Sequence, residues 1–211
     1  MTFHRLRPSG LALLLVLSVL FAQRPAAAAG ATHVSLAGAT HVYLVRGIFD
    51  VSVGLDALAV ELRRLGVASS VYSHTQSGAV AADAISDYRS GRARHIVLIG
   101  HSMGGGVVLS VADELNDAGV PVSLLIALDP TAPGPVTGNV RRAVDFYIAG
   151  SGDTLAAAPG FRGRLQNIDV GSIPGMDHMA VQSMPVMHSR MIGLVESARG
   201  AELLDRRTEV K

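Results

Sequence analysis

Apolar and polar positions follow one another in two periods along most of the chain. Short runs rich in apolar residues predict strands at His41 to Val45, Val67 to Tyr72, His95 to Ile99, Val122 to Leu128, Ala143 to Ala149 and Leu165 to Val170. Between them lie segments with apolar residues at helical spacing. Leu55, Leu58, Leu62 and Leu65 stand at i, i+3, i+7 and i+10, one face of a helix that Gly66 closes. Val80 to Tyr88 predicts a second helix, closed by Gly91. Val107, Val108, Val111, Ala112 and Leu115 share a face of a third, from Gly104 to about Asn116. Met187, Met191, Ile192 and Val195 predict a closing helix over Met184 to Glu196. Ala-Thr-His-Val occurs at 31–34 and again at 39–42, and two copies do not make a repeat architecture.

Strands alternating with helices predict the α/β class, a mostly parallel sheet with helices on both faces. In such sheets ligands bind at the carboxyl ends of the strands. Attention therefore falls on the loops after each predicted strand. Two of these, Thr131–Gly138 and Ala156–Gly163, are the stretches able to contribute a small lid.

Composition narrows the partners and the redox chemistry. The chain has 211 residues, enough for one domain, with 49% hydrophobic and 17% charged residues, a balance that supports a core and excludes disorder. A net charge of +1 without a basic block excludes nucleic acid as a partner. There is no cysteine, hence no disulfide, thiolate metal site or cysteine nucleophile.

The first segment reads as a targeting signal. Arg5 and Arg7 precede an apolar run of twelve residues, Leu11 to Ala22, and Ala26 to Ala29 offer small residues for cleavage. A membrane-spanning helix needs about 20 apolar residues, so the run is short for a permanent anchor. The expected organisation is a signal peptide over 1–29, a folded domain over 30–198 and a charged tail over 199–211. The expected location is the periplasm or the outside of the cell.

The candidate chemistry centres on Gly100-His101-Ser102-Met103-Gly104-Gly105, between the third predicted strand and the third helix. Gly-x-Ser-x-Gly at a strand-to-helix turn holds a serine in a strained conformation with its hydroxyl outward. Strand and helix pass so close there that a Cβ at position 100 or 104 would clash. The helix start also aims its free amides and positive dipole end at the spot where an oxyanion would form.

A serine hydroxyl needs a base to take its proton. Of the eight histidines, His178 lies in the loop after the last strand, in the order Ser…Asp…His. His74 is the reserve. His95 begins a strand at the wrong end, His188 falls in an apolar helical pattern, and His101 is expected to point away from the serine. The base needs an orienting carboxylate, and two qualify: Asp129, ending one strand, and Asp153, ending the next. Asp177 adjoins His178 and is set aside.

Gly100–Gly105 as nucleophile elbow, the strand order around it and His178 in the last loop resemble the α/β-hydrolase superfamily, especially small lipase- or thioesterase-like members with a minimal cap. The resemblance spans about residues 40 to 196. It implies a serine hydrolase that cleaves a carboxylic ester or thioester through an acyl-enzyme, with Ser102, Asp129 and His178 as the triad. Leu128-Asp129-Pro130 and Gly152-Asp153 each look like a position where the family places its acid. Many members carry His-Gly where this chain has Arg46-Gly47. The residue after that glycine gives the first oxyanion amide in the family, which implies Ile48 here, with Met103 as the second. Arg46 reads either as a contact for an anionic substrate group or as a solvated charge. No cofactor or metal is implied, and the expected partner is a small-molecule or lipid ester. Met176, Met179, Met184, Met187 and Met191 are read as either an acyl pocket or core filler. The alternatives are a non-catalytic binding protein on the same fold, or an acyltransferase using the same triad.

Overall fold

The computed structural model describes residues 39–209. Segment 1–29, expected to be a signal peptide, and the first Ala-Thr-His-Val copy lie outside the described residues.

Six strands form one sheet: β1 (Thr40–Val45), β2 (Ala68–Tyr72), β3 (His95–His101), β4 (Val122–Leu128), β5 (Arg142–Tyr147) and β6 (Arg164–Asp169). Their order is β2-β1-β3-β4-β5-β6, and every pairing is parallel. Four helices cover the sheet: α1 (Gly54–Arg64), α2 (Ser77–Arg89), α3 (Met103–Asp117) and α4 (Pro185–Glu209). The chain runs outward from β1 to β2, then returns to lay β3 on the other side of β1. That reversal opens a crevice at the carboxyl ends of β1 and β3, where open α/β sheets bind their ligands.

The pleat divides the core between the two faces. Tyr43 and Val45 of β1, Ile96 and Leu98 of β3, and Leu125 and Ala127 of β4 pack against Val80, Ala84, Val108, Ala112 and Leu115 of α2 and α3. Val42, Leu44, Val97, Ile99, Ile126 and Leu128 point the other way, toward Leu55, Leu58 and Leu62 of α1 and Met187, Met191 and Val195 of α4. The central strands are buried on both faces, which is why they read as unbroken apolar runs. The edge strands β2 and β6 are half-exposed and carry Ser69, Ser70, Gln166 and Asn167.

Three elements differ from the pattern-based expectation. Leu65 is 52% exposed, because α1 ends at Arg64 and Gly66 turns the chain with φ +75°. β5 ends at Tyr147, and the Ile148 amide leaves the ladder for a side chain. α4 runs on to Glu209, well past Glu196 and through much of the 199–211 segment, where only Gly200 interrupts good helix formers.

The two lid candidates are fastened to each other and to the body. Val136 pairs with Ala157 across a parallel bridge, and its side chain is fully buried in the core on the α3 face.

Candidate active site

The strand ends bring the expected residues together. Register pairs Val45 with Gly100, His101 with Leu128, and Leu128 with Phe146. The residues that follow these strands therefore form a row across the sheet's carboxyl edge: Gly47, Ser102, Asp129 and Ile148.

Ser102 sits in a strained turn. Its φ is 56° and ψ −122°, a conformation that L-residues rarely adopt and that costs about 1–3 kcal/mol. The backbone is held on both sides: the Ser102 amide donates to the Leu128 carbonyl at 3.0 Å, and its own carbonyl accepts from the Gly105 and Thr131 amides. A Cβ on Gly100 would overlap the Gly104 carbonyl, and one on Gly104 would overlap the Val45 carbonyl, so the elbow closes only with glycine at both positions. Met103, the first residue of α3, follows directly, and its amide has no acceptor within the helix.

His178 reaches this turn from the loop after β6. The Ser102 hydroxyl donates to His178 Nε2 at 3.0 Å, and His178 Nδ1 donates to Asp129 Oδ2 at 2.6 Å. Asp129 is fully buried with φ +43° and also accepts from the Ser151 hydroxyl at 2.6 Å and the Ile148 amide at 2.9 Å. Burial pushes its carboxyl up, but the bonds from Ser151, His178 and Ile148 outweigh that and hold it below the usual carboxylate range. Asp129 is thus a fixed anion under the imidazole.

Asp153 has a different task. Its carboxylate accepts from the Ala132 amide at 3.1 Å, and its own amide donates to Pro130. It ties down the loop after Asp129. Gly152 is glycine because a Cβ there would come within 2.6 Å of Asp129 Oδ1.

Several other histidines resolve. His188 is buried against Glu61 and the Gln182 carbonyl, and His95 is buried at the start of β3. His74 lies in the loop after β2, where its buried Nδ1 has no hydrogen-bond partner among the described residues. His101 has partners on the side away from the serine hydroxyl. Its ring lies 4.8 Å from the His178 ring, its Nε2 meets the His178 carbonyl at 2.7 Å, and its Nδ1 meets the Ser52 hydroxyl at 2.7 Å.

The loop after β1 approaches the serine from the other side. A Cβ on Gly47 would lie 3.2 Å from Ser102 Cβ, which puts Ile48 one residue from contact. Arg46 is not a free charge. It grips Asp56 of α1 with two hydrogen bonds, 2.9 Å and 2.5 Å, and this pairing lowers the Asp56 carboxyl and raises the guanidinium. Phe49 and Asp50 hold φ of 54° and 55°.

The methionine run divides. Met187 and Met191 are fully buried in the core, Met176 and Met184 pack against it, and only Met179 opens beside His178. The core reading holds for four of the five.

Ser151, Ser52 and the Ile148 amide were missed at the level of sequence. No local pattern marks them, since each acts on a residue at least 19 positions away or from the backbone. Asp177 did carry a signal: its carboxylate accepts from the Met179 and Ala180 amides at 2.8 and 2.7 Å, an Asx turn that shapes the His178 loop. Among the described residues no three His, Asp or Glu side chains gather as a metal-ligand group.

Comparison with solved structures places the architecture. Human thioesterase 2 superposes with a TM-score of 0.53, over 77% of this chain and 97% of that one, at 8% identity. The fold is the α/β-hydrolase fold. Lower similarity is found to a thioesterase from the prodiginine pathway of Streptomyces coelicolor (TM-score 0.48, 13% identity, 77% and 87% covered). A cutinase-like protein from Cryptococcus sp. is similar at TM-score 0.48 and 13% identity, with 76% and 95% covered. No protein-family model matches the sequence, and no curated protein does.

Proposed function

We propose that the protein is a serine hydrolase that cleaves a carboxylic ester or thioester through an acyl-enzyme. The observation that carries this reading is the continuous row Ser102–His178–Asp129, with each donor facing an acceptor at 3.0 Å or less.

The chemistry follows from the row. His178 Nε2 takes the hydroxyl proton as Ser102 Oγ bonds to the carbonyl carbon, and buried Asp129 stabilises the imidazolium that results. The amides of Met103 and Ile48 receive the oxyanion, the first reinforced by the α3 dipole. Collapse breaks the bond to the leaving oxygen or sulfur, which takes the proton from His178. Water then repeats the cycle on the acyl-Ser102 ester and releases the acid. An acyltransferase differs only in the acceptor at this second step.

The surface around the row favours an apolar substrate. Ile48 (41%), Phe49 (82%), Val51 (44%) and Val53 (66%) are exposed in the loop beside Gly47, together with Met103 (41%) and Met179 (44%), the residues following Ser102 and His178. A cavity of about 280 Å³ opens beside the elbow, lined by Met103, Gly106, Val107, Ser110, Thr131, Ala132 and Gly134. An apolar acyl or alcohol chain matches the exposed apolar side chains around the row. We also infer export, on the basic, apolar and small-residue order of residues 1–29.

The test is hydrolysis of p-nitrophenyl esters of rising chain length by purified protein. Turnover that disappears in Ser102→Ala supports the reading. Well-folded protein with no turnover on any ester or thioester contradicts it and leaves the binding-protein reading.

A further inference from the structure

The mechanism above makes no use of His101 or Ser52, yet both are buried, at 1% and 0% exposure, in the middle of the site. Their geometry fixes every proton between them. A carbonyl oxygen only accepts, so the 2.7 Å contact between His101 Nε2 and the His178 carbonyl puts a proton on Nε2. The neutral ring then has a bare Nδ1, which can only accept. Its 2.7 Å partner is the Ser52 hydroxyl, so Ser52 donates to it. Having given its one proton, Ser52 Oγ is free to accept, and the Gly47 amide donates to it at 2.8 Å.

The result is a one-way chain: Gly47 N–H to Ser52, Ser52 O–H to His101, His101 N–H to the His178 carbonyl. Its first member belongs to the loop that carries Ile48. Its last belongs to the loop that carries the base. Its third member, His101, is the residue preceding Ser102. Each bond is buried or partly buried, where a satisfied polar network specifies one arrangement.

We infer that Ser52 and His101 are positioning residues that lock the Gly47–Ile48 loop to the His178 loop, so that the oxyanion amide and the base are set in register around Ser102. This inference rests on the reading of Ser102 and His178 as a hydrolytic pair. A second contact agrees with it: a Cβ on Gly54, at the start of α1, would come within 2.7 Å of the Ser183 backbone, so the two loops meet there as well. Burial, opposed by the bond to the His178 carbonyl, lowers the His101 ring to about 4, which keeps Nδ1 bare at neutral pH.

The lock explains the residue types. Asparagine or glutamine in place of His101 would not span from the Ser52 hydroxyl to the His178 carbonyl with an acceptor at one end and a donor at the other in a rigid ring. Alanine at 52 would leave the Gly47 amide and His101 Nδ1 both buried without partners.

The test uses nitrogen-15-labelled full chain at pH 7. In wild type, the His101 ring is expected as the Nε2–H tautomer, and the Gly47 amide exchanges slowly. Ser52→Ala is expected to speed Gly47 exchange at least tenfold. It is also expected to slow phosphonylation of Ser102 by a fluorophosphonate about a hundredfold, the lower end of the loss that follows removal of one oxyanion donor. Ser52→Thr, which keeps the hydroxyl, is expected to restore both. A wild-type His101 protonated on Nδ1 overturns the inference, and this readout needs no variant to fold. So does a Ser52→Ala protein that melts lower but phosphonylates at the wild-type rate, because that is a merely structural role. Wild type that takes no phosphonate overturns the hydrolase reading instead, while the tautomer and the Gly47 exchange still decide the lock.

Discussion

His178 Nδ1 lies 2.6 Å from Asp129 Oδ2, and the Asp129 carboxylate is closed off from water by Ser151 and the Ile148 amide. Two aspartates compete for this role in the sequence, and the geometry separates them. Asp129→Asn should lower kcat by about 10⁴, since an amide cannot hold the imidazole in the right tautomer as an anion does. Asp153→Asn should change kcat by no more than a few-fold, because its carboxylate serves the Ala132 amide. Steady-state kinetics of the two variants on one activated ester decide the matter; equal losses would refute the assignment.

The strain at Ser102 gives a trade between activity and stability. With φ at 56°, this position suits glycine better than any L-residue. Ser102→Gly should therefore abolish turnover and raise stability by about 1 kcal/mol, or roughly 2–4 °C in melting temperature. Ser102→Ala, which keeps the Cβ, should lose turnover without that gain. Differential scanning calorimetry of both checks the prediction.

Phe49 is the most exposed large apolar residue among the described residues, at 82%, and it sits beside the loop that touches Ser102. Phe49→Ser should raise KM for long-chain esters by about tenfold, in line with the loss of roughly 1.5 kcal/mol of apolar contact. Acetate and butyrate esters should be cleaved as in wild type. An equal effect on short and long chains would remove the apolar rim from the account.

His101 and Asp145 give opposite pH signatures. An unfolded histidine titrates near ~6.5, while burial holds His101 neutral down to about 4. Between those values the unfolded chain binds more protons, so this residue makes stability rise with pH. Asp145 is fully buried, with Oδ1 unpartnered and Oδ2 accepting only from the Leu155 amide at 3.3 Å. Burial and the nearby Asp129 charge raise it to about 7, against ~3.9 in the unfolded chain. Between those values the folded state keeps its proton, so stability falls as pH rises. Each slope is at most about 1.4 kcal/mol per pH unit. Relative to wild type, Asp145→Asn should gain stability as pH climbs from 4 to 7. His101→Gln should gain, relative to wild type, as pH drops from 6.5 to 4. Urea melts across this range test both, and pH-independent offsets would contradict them.

The architecture was legible because parallel strands buried on both faces leave unbroken apolar runs, as in Val122–Leu128. The elbow was legible because close backbone approach demands glycine on either side of Ser102. His178 could be reached by chain order alone. The choice between Asp129 and Asp153 was not legible, because it depends on which strand end lies beneath a loop that arrives from β6. The contacts of His101 were missed for a related reason. Alternation along β3 aims it away from the serine hydroxyl, but the His178 loop folds over that side as well, and no local pattern announces that contact. Arg46 was read without its partner because Asp56 lies ten positions on, in the first turn of α1, and the pairing forms only when α1 packs back across β1.

In the proposed function Ser102 is activated by His178 over a preformed oxyanion site. Labelling of the purified protein with a fluorophosphonate at neutral pH, followed by peptide mapping, tests it most directly. Stoichiometric modification at Ser102, lost in His178→Ala, is the expected result. Modification elsewhere, labelling that survives His178→Ala, or folded protein that stays unlabelled would contradict it.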